Sequence, residues 1–101
     1  MMSADLNVSA FAARQKANRF LILQGGDQFV AGEPELLVGE ELVWRLPITY
    51  APSRLGNLGV IGHVLVEATN GRIEIADGRE APDLIAAAES LYERATSAAG
   101  T

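Results

Sequence analysis

Between residues 41 and 50 apolar and intervening positions alternate. Leu42, Trp44, Leu46, Ile48 and Tyr50 are separated by Val43, Arg45, Pro47 and Thr49. A period of two is the signature of a strand with one buried face. Pro47 has no amide hydrogen, which predicts an edge position or a bulge. Residues 51–59 read as a loop, and two further strands are predicted over 60–67 and 72–76.

Charge sets the length of the turn between those two strands. A two-residue Asn70-Gly71 loop would oppose Glu67 to Glu74, and like charges across a ladder are unfavourable. A four-residue loop over 68–71 opposes Glu67 to Arg72, Val66 to Ile73 and Val64 to Ile75 instead. A three-residue loop would turn one strand's apolar side outward. The pattern selects the four-residue loop.

Helical spacing flanks the strands. Ala10, Ala13, Ala17, Phe20, Leu21 and Gln24 share one stripe of a helix over about 8–24. Asn7 or Ser9 is suited to cap it, and Gly25-Gly26 to stop it. A second helix over about 82–97 carries Leu84, Ala88, Leu91 and Ala95, widened by Ile85 and Tyr92. Pro82 and Asp83 fit its first turn. Between residues 25 and 40, Phe29 and Val30 suit a short strand. Leu36, Leu37 and Val38 are expected to tuck under the sheet from a connecting loop.

The resulting expectation is an α+β fold in one globular domain over residues 1–101, frayed at 1–6 and 97–101. An antiparallel three- to four-stranded meander carries an N-terminal and a C-terminal helix on one face. Its other face would present Arg45, Thr49, His63, Glu67 and Glu74, but also Val43, Ile61 and Leu65. Three apolar side chains on a wet face form a patch of the kind that marks a partner. Val43, Arg45, Ile61, His63 and Leu65 are therefore the expected interaction face.

Charge and composition narrow the function classes. Eight basic and thirteen acidic residues give a net charge of −5, which disfavours nucleic acid as a partner. The three cations Arg14, Lys16 and Arg19 lie within the first helix. No run is apolar enough to cross a membrane, and no signal peptide is visible in the N-terminal residues. The absence of cysteine excludes disulfides and thiolate chemistry and suits the cytoplasm.

Chemistry is thinly represented. His63 is the single histidine, and Ser53, His63 and Asp77 form a triad by inventory without a spacing that supports one. Metal-ligand spacings are missing. The pairs Glu33/Glu35 and Glu40/Glu41 lie in solvated, Gly- and Pro-rich sequence, unsuited to separating two carboxyl pKa values. Gly56, Gly59 and Gly62 precede a strand rather than the helix a phosphate cradle needs. No catalytic residue, metal or cofactor is implied, and the chain reads as a non-enzyme.

Val64-Leu65-Val66-Glu67-Ala68-Thr69-Asn70-Gly71-Arg72-Ile73 has the form V-x-V-[DE]-A-x-[TN]-G-x-[IV]. It resembles the terminal hairpin of PepSY-type domains, and a similar layout occurs in immunity proteins of the nuclear-transport-factor fold. Ala17-Asn18-Arg19-Phe20-Leu21, with a W-x-[VL]-P strand and a G-x-[VI]-G-x-[VI] strand, resembles a set of short bacterial, notably cyanobacterial, proteins. These resemblances imply a cystatin-like helix against a curved sheet, and an immunity- or antitoxin-like role.

Together these features predict a non-catalytic module that binds a protein partner or itself, as a homodimer, through an open sheet face or edge. The alternative is a ligand-binding protein or enzyme. Its pocket would lie between the first helix and the sheet, near Trp44, Tyr50 and His63.

Overall fold

The computed structural model describes residues 7–99. Helix α1 (Ala10–Gly25) leads into strands β1 (Phe29–Ala31), β2 (Glu35–Val38), β3 (Leu42–Tyr50), β4 (Gly59–Glu67) and β5 (Ile73–Ile75). A 3-10 turn (Ala76–Gly78) then joins β5 to helix α2 (Ala81–Ala99). All strand pairs are antiparallel. Strands β1 and β2 pair with successive stretches of β3, and β4 and β5 follow on its other side. The layout is a four-file meander whose first file is broken.

That break has a chemical cause. Pro47 stands in β3, paired with His63 of β4, and its carbonyl accepts from Gly32 N on the other side at 2.8 Å. In an antiparallel strand the amide of a residue points the same way as its carbonyl. Pro47 therefore offers no donor toward the first file, at the point where β1 stops and β2 has yet to begin. The expected edge or bulge position is corrected: Pro47 sits in a central strand, and the interruption is transferred to its neighbour. Gly32 is required there, because a Cβ on it would lie 2.8 Å from Pro47 Cγ.

Leu36, Leu37 and Val38 differ from expectation as well. They belong to β2, paired with Trp44, Val43 and Leu42, rather than to a loop beneath the sheet. A short run beside glycines and a proline carries little strand signal by itself; pairing with the long β3 supplies it. The β4–β5 turn follows the charge argument. Val66 faces Ile73 and Val64 faces Ile75, while Glu67 N donates to the Arg72 carbonyl at 2.8 Å. Asn70 Oδ1 accepts from Arg72 N at 2.8 Å, closing the turn.

Both helices lie on the sheet face that carries Leu46, Ile48, Val64 and Val66. Ser9 caps α1 by accepting from Ala12 N at 3.1 Å. Ala13, Ala17 and Leu21 bury the expected stripe, and small residues early in it allow close approach to the strands. Three hydrogen bonds pin the helix entrance: Asn7 Nδ2 to the Thr69 carbonyl, Val8 N to the Ala68 carbonyl, and Trp44 Nε1 to the Val8 carbonyl.

Helix α2 begins with Asp83 Oδ2 accepting from Glu80 N at 2.9 Å, one half of a capping box. Leu84 and Ala88 enter the core. The helix runs on to Ala99, beyond the expected end near residue 97. The fraying expected at 1–6 and 100–101 lies outside the described residues. Each fully buried Leu or Ile, such as Leu21, Leu46, Ile48 and Leu84, contributes about 1.5–3 kcal/mol.

Replacing Gly32 by Ala is expected to destabilise the fold by about 1–3 kcal/mol through the clash with the Pro47 ring. The same substitution in a Pro47→Ala background should cost clearly less. Urea denaturation of the four species measures that coupling.

Candidate interaction face

The face of the sheet turned away from both helices is assembled by register. Leu37, Val43 and Glu67 stand in one cross-strand row, and Glu35, Arg45, Leu65 and Glu74 in the next. Pro47 and His63 follow, then Val30, Thr49 and Val60. Apolar and charged groups are thus interspersed. Glu35 and Arg45 form a weak, solvent-reached ion pair at 3.7 Å, of a kind worth little stability. Four of the five expected interface residues, Val43, Arg45, His63 and Leu65, are brought together here.

Ile61 is not among them. The ladder slips between Ile48 and Thr49: Ile48 faces Gly62 while Thr49 faces Val60. One residue, Ile61, has no partner in β3. Such a bulge re-aims side chains, and Ile61 is only 6% exposed, packed within the core. Strict alternation had assigned it to the open face. The neighbouring Gly62 lets α2 approach, since a Cβ there would meet Leu84 Cδ2 at 3.1 Å.

The carbonyl that the bulge frees from the ladder is satisfied by Arg79 Nη1 at 2.9 Å. Arg79 is delivered by the turn before α2, where Asp77 (φ 65°) and Gly78 (φ 68°) adopt left-handed conformations. Asp is among the few side chains that tolerate that region.

Val60, 56% exposed, with Val30 and Leu37, extends the open apolar surface beyond the expected set. Val60 is outward because the bulge reverses the alternation ahead of Ile61. Short-range pattern carries no sign of that reversal. Glycine spacing around it, Gly59 and Gly62, was the available signal.

The two edges of the sheet are less open than the face. The outward amide and carbonyl of Ala31 in β1 are taken by α1: Ala31 N donates to Asn18 Oδ1 at 2.8 Å and Arg14 Nε donates to the Ala31 carbonyl at 3.2 Å. Arg14 also pairs with Glu33 at 3.2 Å. Strand β5 has three residues, and β2 is flanked by Glu33, Glu40 and Glu41. Covering, shortness and charge are established ways of blunting an edge.

The remaining expected constellations are not joined by hydrogen bonds or metal-ligand groupings among the described residues. No hydrogen bond joins Ser53, His63 and Asp77 among the described residues. Those residues also hold no group of three His, Asp or Glu able to bind a metal ion. No described helix is long and apolar enough to cross a membrane. Leu21 is fully buried between α1 and the sheet, with Phe20, Trp44 and Leu91 packed against the same core, so that space is filled by side chains.

One concavity has no signature in the local pattern of the chain. Gln28, Tyr50, Glu89, Tyr92 and Glu93 line an open cleft of about 420 Å³ where α2 passes the Tyr50 end of β3. On α1, Phe11, Ile22 and Leu23 are also exposed, outside the buried stripe.

Comparison with known protein families, characterised proteins and solved structures finds no match to this chain.

The bulge makes a direct prediction about adjacent residues of like chemistry. Ile61→Ala should destabilise by about 2–4 kcal/mol, as for a core isoleucine. Val60→Ala, one position away and outside the core, should cost clearly less. Chemical denaturation of both variants distinguishes the bulged register from an unbroken one, in which the order would reverse.

Proposed function

We propose that this protein is a non-catalytic interaction module that pairs with a second copy of itself by stacking the open sheet face. The supporting observation is that face itself: neither helix covers it, and it carries Val30, Leu37, Val43, Val60 and Leu65. Strands β3 and β4 have nine residues each, the split file seven and β5 three, which at about 3.3 Å per residue and about 4.8 Å between files span roughly 450 Å² in projection. Against the ~800 Å² per partner of a standard interface, a face of this size fits a weak, reversible pair.

Charge favours self-pairing over an acidic or basic partner. Arg45 and Arg72 stand among Glu35, Glu67 and Glu74, so the surface carries both signs. A two-fold axis lets such a surface be its own complement. The sheet edges are covered, short or acid-flanked, which favours the face over strand addition. On this reading the PepSY-like hairpin and the cystatin-like layout are scaffold, and the cytoplasm is the compartment. An immunity- or antitoxin-like role would place a different protein on the same face.

Sedimentation equilibrium is the test. The native chain should reach twice its 10.7 kDa mass, and Val60→Lys with Leu65→Gln should remain monomeric with an unchanged circular dichroism spectrum. A native chain that stays monomeric at every concentration overturns the self-pairing, as does a dimer indifferent to the double substitution.

A further inference from the structure

We infer that the cleft between α2 and the end of β3 binds a small primary alkylammonium compound. The cleft is lined by two carboxylates one helical turn apart, Glu89 and Glu93, together with Tyr92 of the same helix, Tyr50 and Gln28. Like charges at i and i+4 on a helix repel. Among the described residues neither carboxylate has an ion-pair partner: the two ion pairs are Arg14–Glu33 and Arg45–Glu35. The nearest cation in sequence, Arg94, turns back to donate to the Ser90 carbonyl at 3.4 Å.

Tyr50 supplies the independent observation. Only 7% of the residue is exposed, and its ring is held edge-on against Phe29, with centroids 5.9 Å apart. Its hydroxyl makes no hydrogen bond among the described residues, yet no buried polar side-chain atom there is left unsatisfied. The residue lines the cleft, and its hydroxyl is the polar group that this side chain can offer there. A rigid, nearly buried phenol with a free polar end is a preorganised contact rather than a surface accident.

The chemistry selects the ligand class. The carboxylates only accept, and the phenol and the Gln28 amide can accept as well as donate, so the cleft suits a group with several N–H donors and a positive charge. The exposed Tyr92 ring adds cation–π attraction. A volume of about 420 Å³ is in the small-molecule range. A metal ion would need a third carboxylate or a histidine close by, and the described residues group none. The net charge of −5 raises the local concentration of any cation. This site is separate from the open sheet face, and neither reading depends on the other.

Amide chemical-shift titration of the full chain with butylammonium chloride tests the assignment. Butanol, and potassium chloride at matched ionic strength, serve as controls. Saturable shifts confined to residues around Gln28, Tyr50, Glu89, Tyr92 and Glu93, and given by butylammonium alone, are the expected result. Glu89→Gln with Glu93→Gln should weaken binding about tenfold or more, since both charge-assisted bonds are lost. Tyr50→Phe keeps the ring packing and should weaken it about threefold or more. The Gln variant should melt no lower than the native chain, because it removes a repulsion. Shifts that do not saturate, that butanol or potassium reproduces, or that persist at full affinity in either variant overturn the assignment.

Discussion

A one-residue slip in the β3–β4 ladder governs how the two helices share the sheet. With strict alternation along β4, Ile61 would face water and the core beneath α2 would lack a side chain. The bulge returns Ile61 to the core and leaves Gly62 as the point where Leu84 of α2 approaches. Its freed carbonyl is bonded by Arg79, just ahead of α2. A bulge left without that donor would bury or strand a carbonyl, which is costly. The irregularity, the arginine and the position of the helix form one unit.

Pro47 imposes the second constraint, and it acts at a distance in sequence. A missing amide in a central strand removes a ladder bond from the neighbouring file. The chain responds by splitting that file into β1 and β2 around Gly32. The outward groups of β1 are then taken by Arg14 and Asn18 of α1. One missing hydrogen thus accounts for a broken edge strand, and a helix placed to cover the remaining part of it. The edge becomes a poor template for a further strand, which leaves the broad face as the accessible surface.

The two surfaces with functional promise differ in kind. The sheet face is broad, mixed in charge and apolar in places, suited to a protein surface of matching shape. The cleft beside α2 is small and its charge is of one sign, suited to a compact cation. They lie on different parts of the domain: the face is opposite the helices, whereas the cleft depends on α2 passing the end of β3.

Much of this architecture was legible in local pattern. The period of two along β3, the stripe on α1 with its Ser9 cap, and the four-residue turn set by Glu67 and Arg72 each rest on contacts between near neighbours. Such contacts are determined by residue type and spacing. Val43, Arg45, His63 and Leu65 reached the open face for the same reason. Tertiary structure alone decided where the alternation breaks, that Leu36–Val38 pair rather than tuck, and that Gln28, Tyr50, Glu89 and Glu93 meet. Those outcomes depend on partners distant in sequence: a strand position is buried or exposed according to what packs across it, and the residue's own chemistry does not say what that will be.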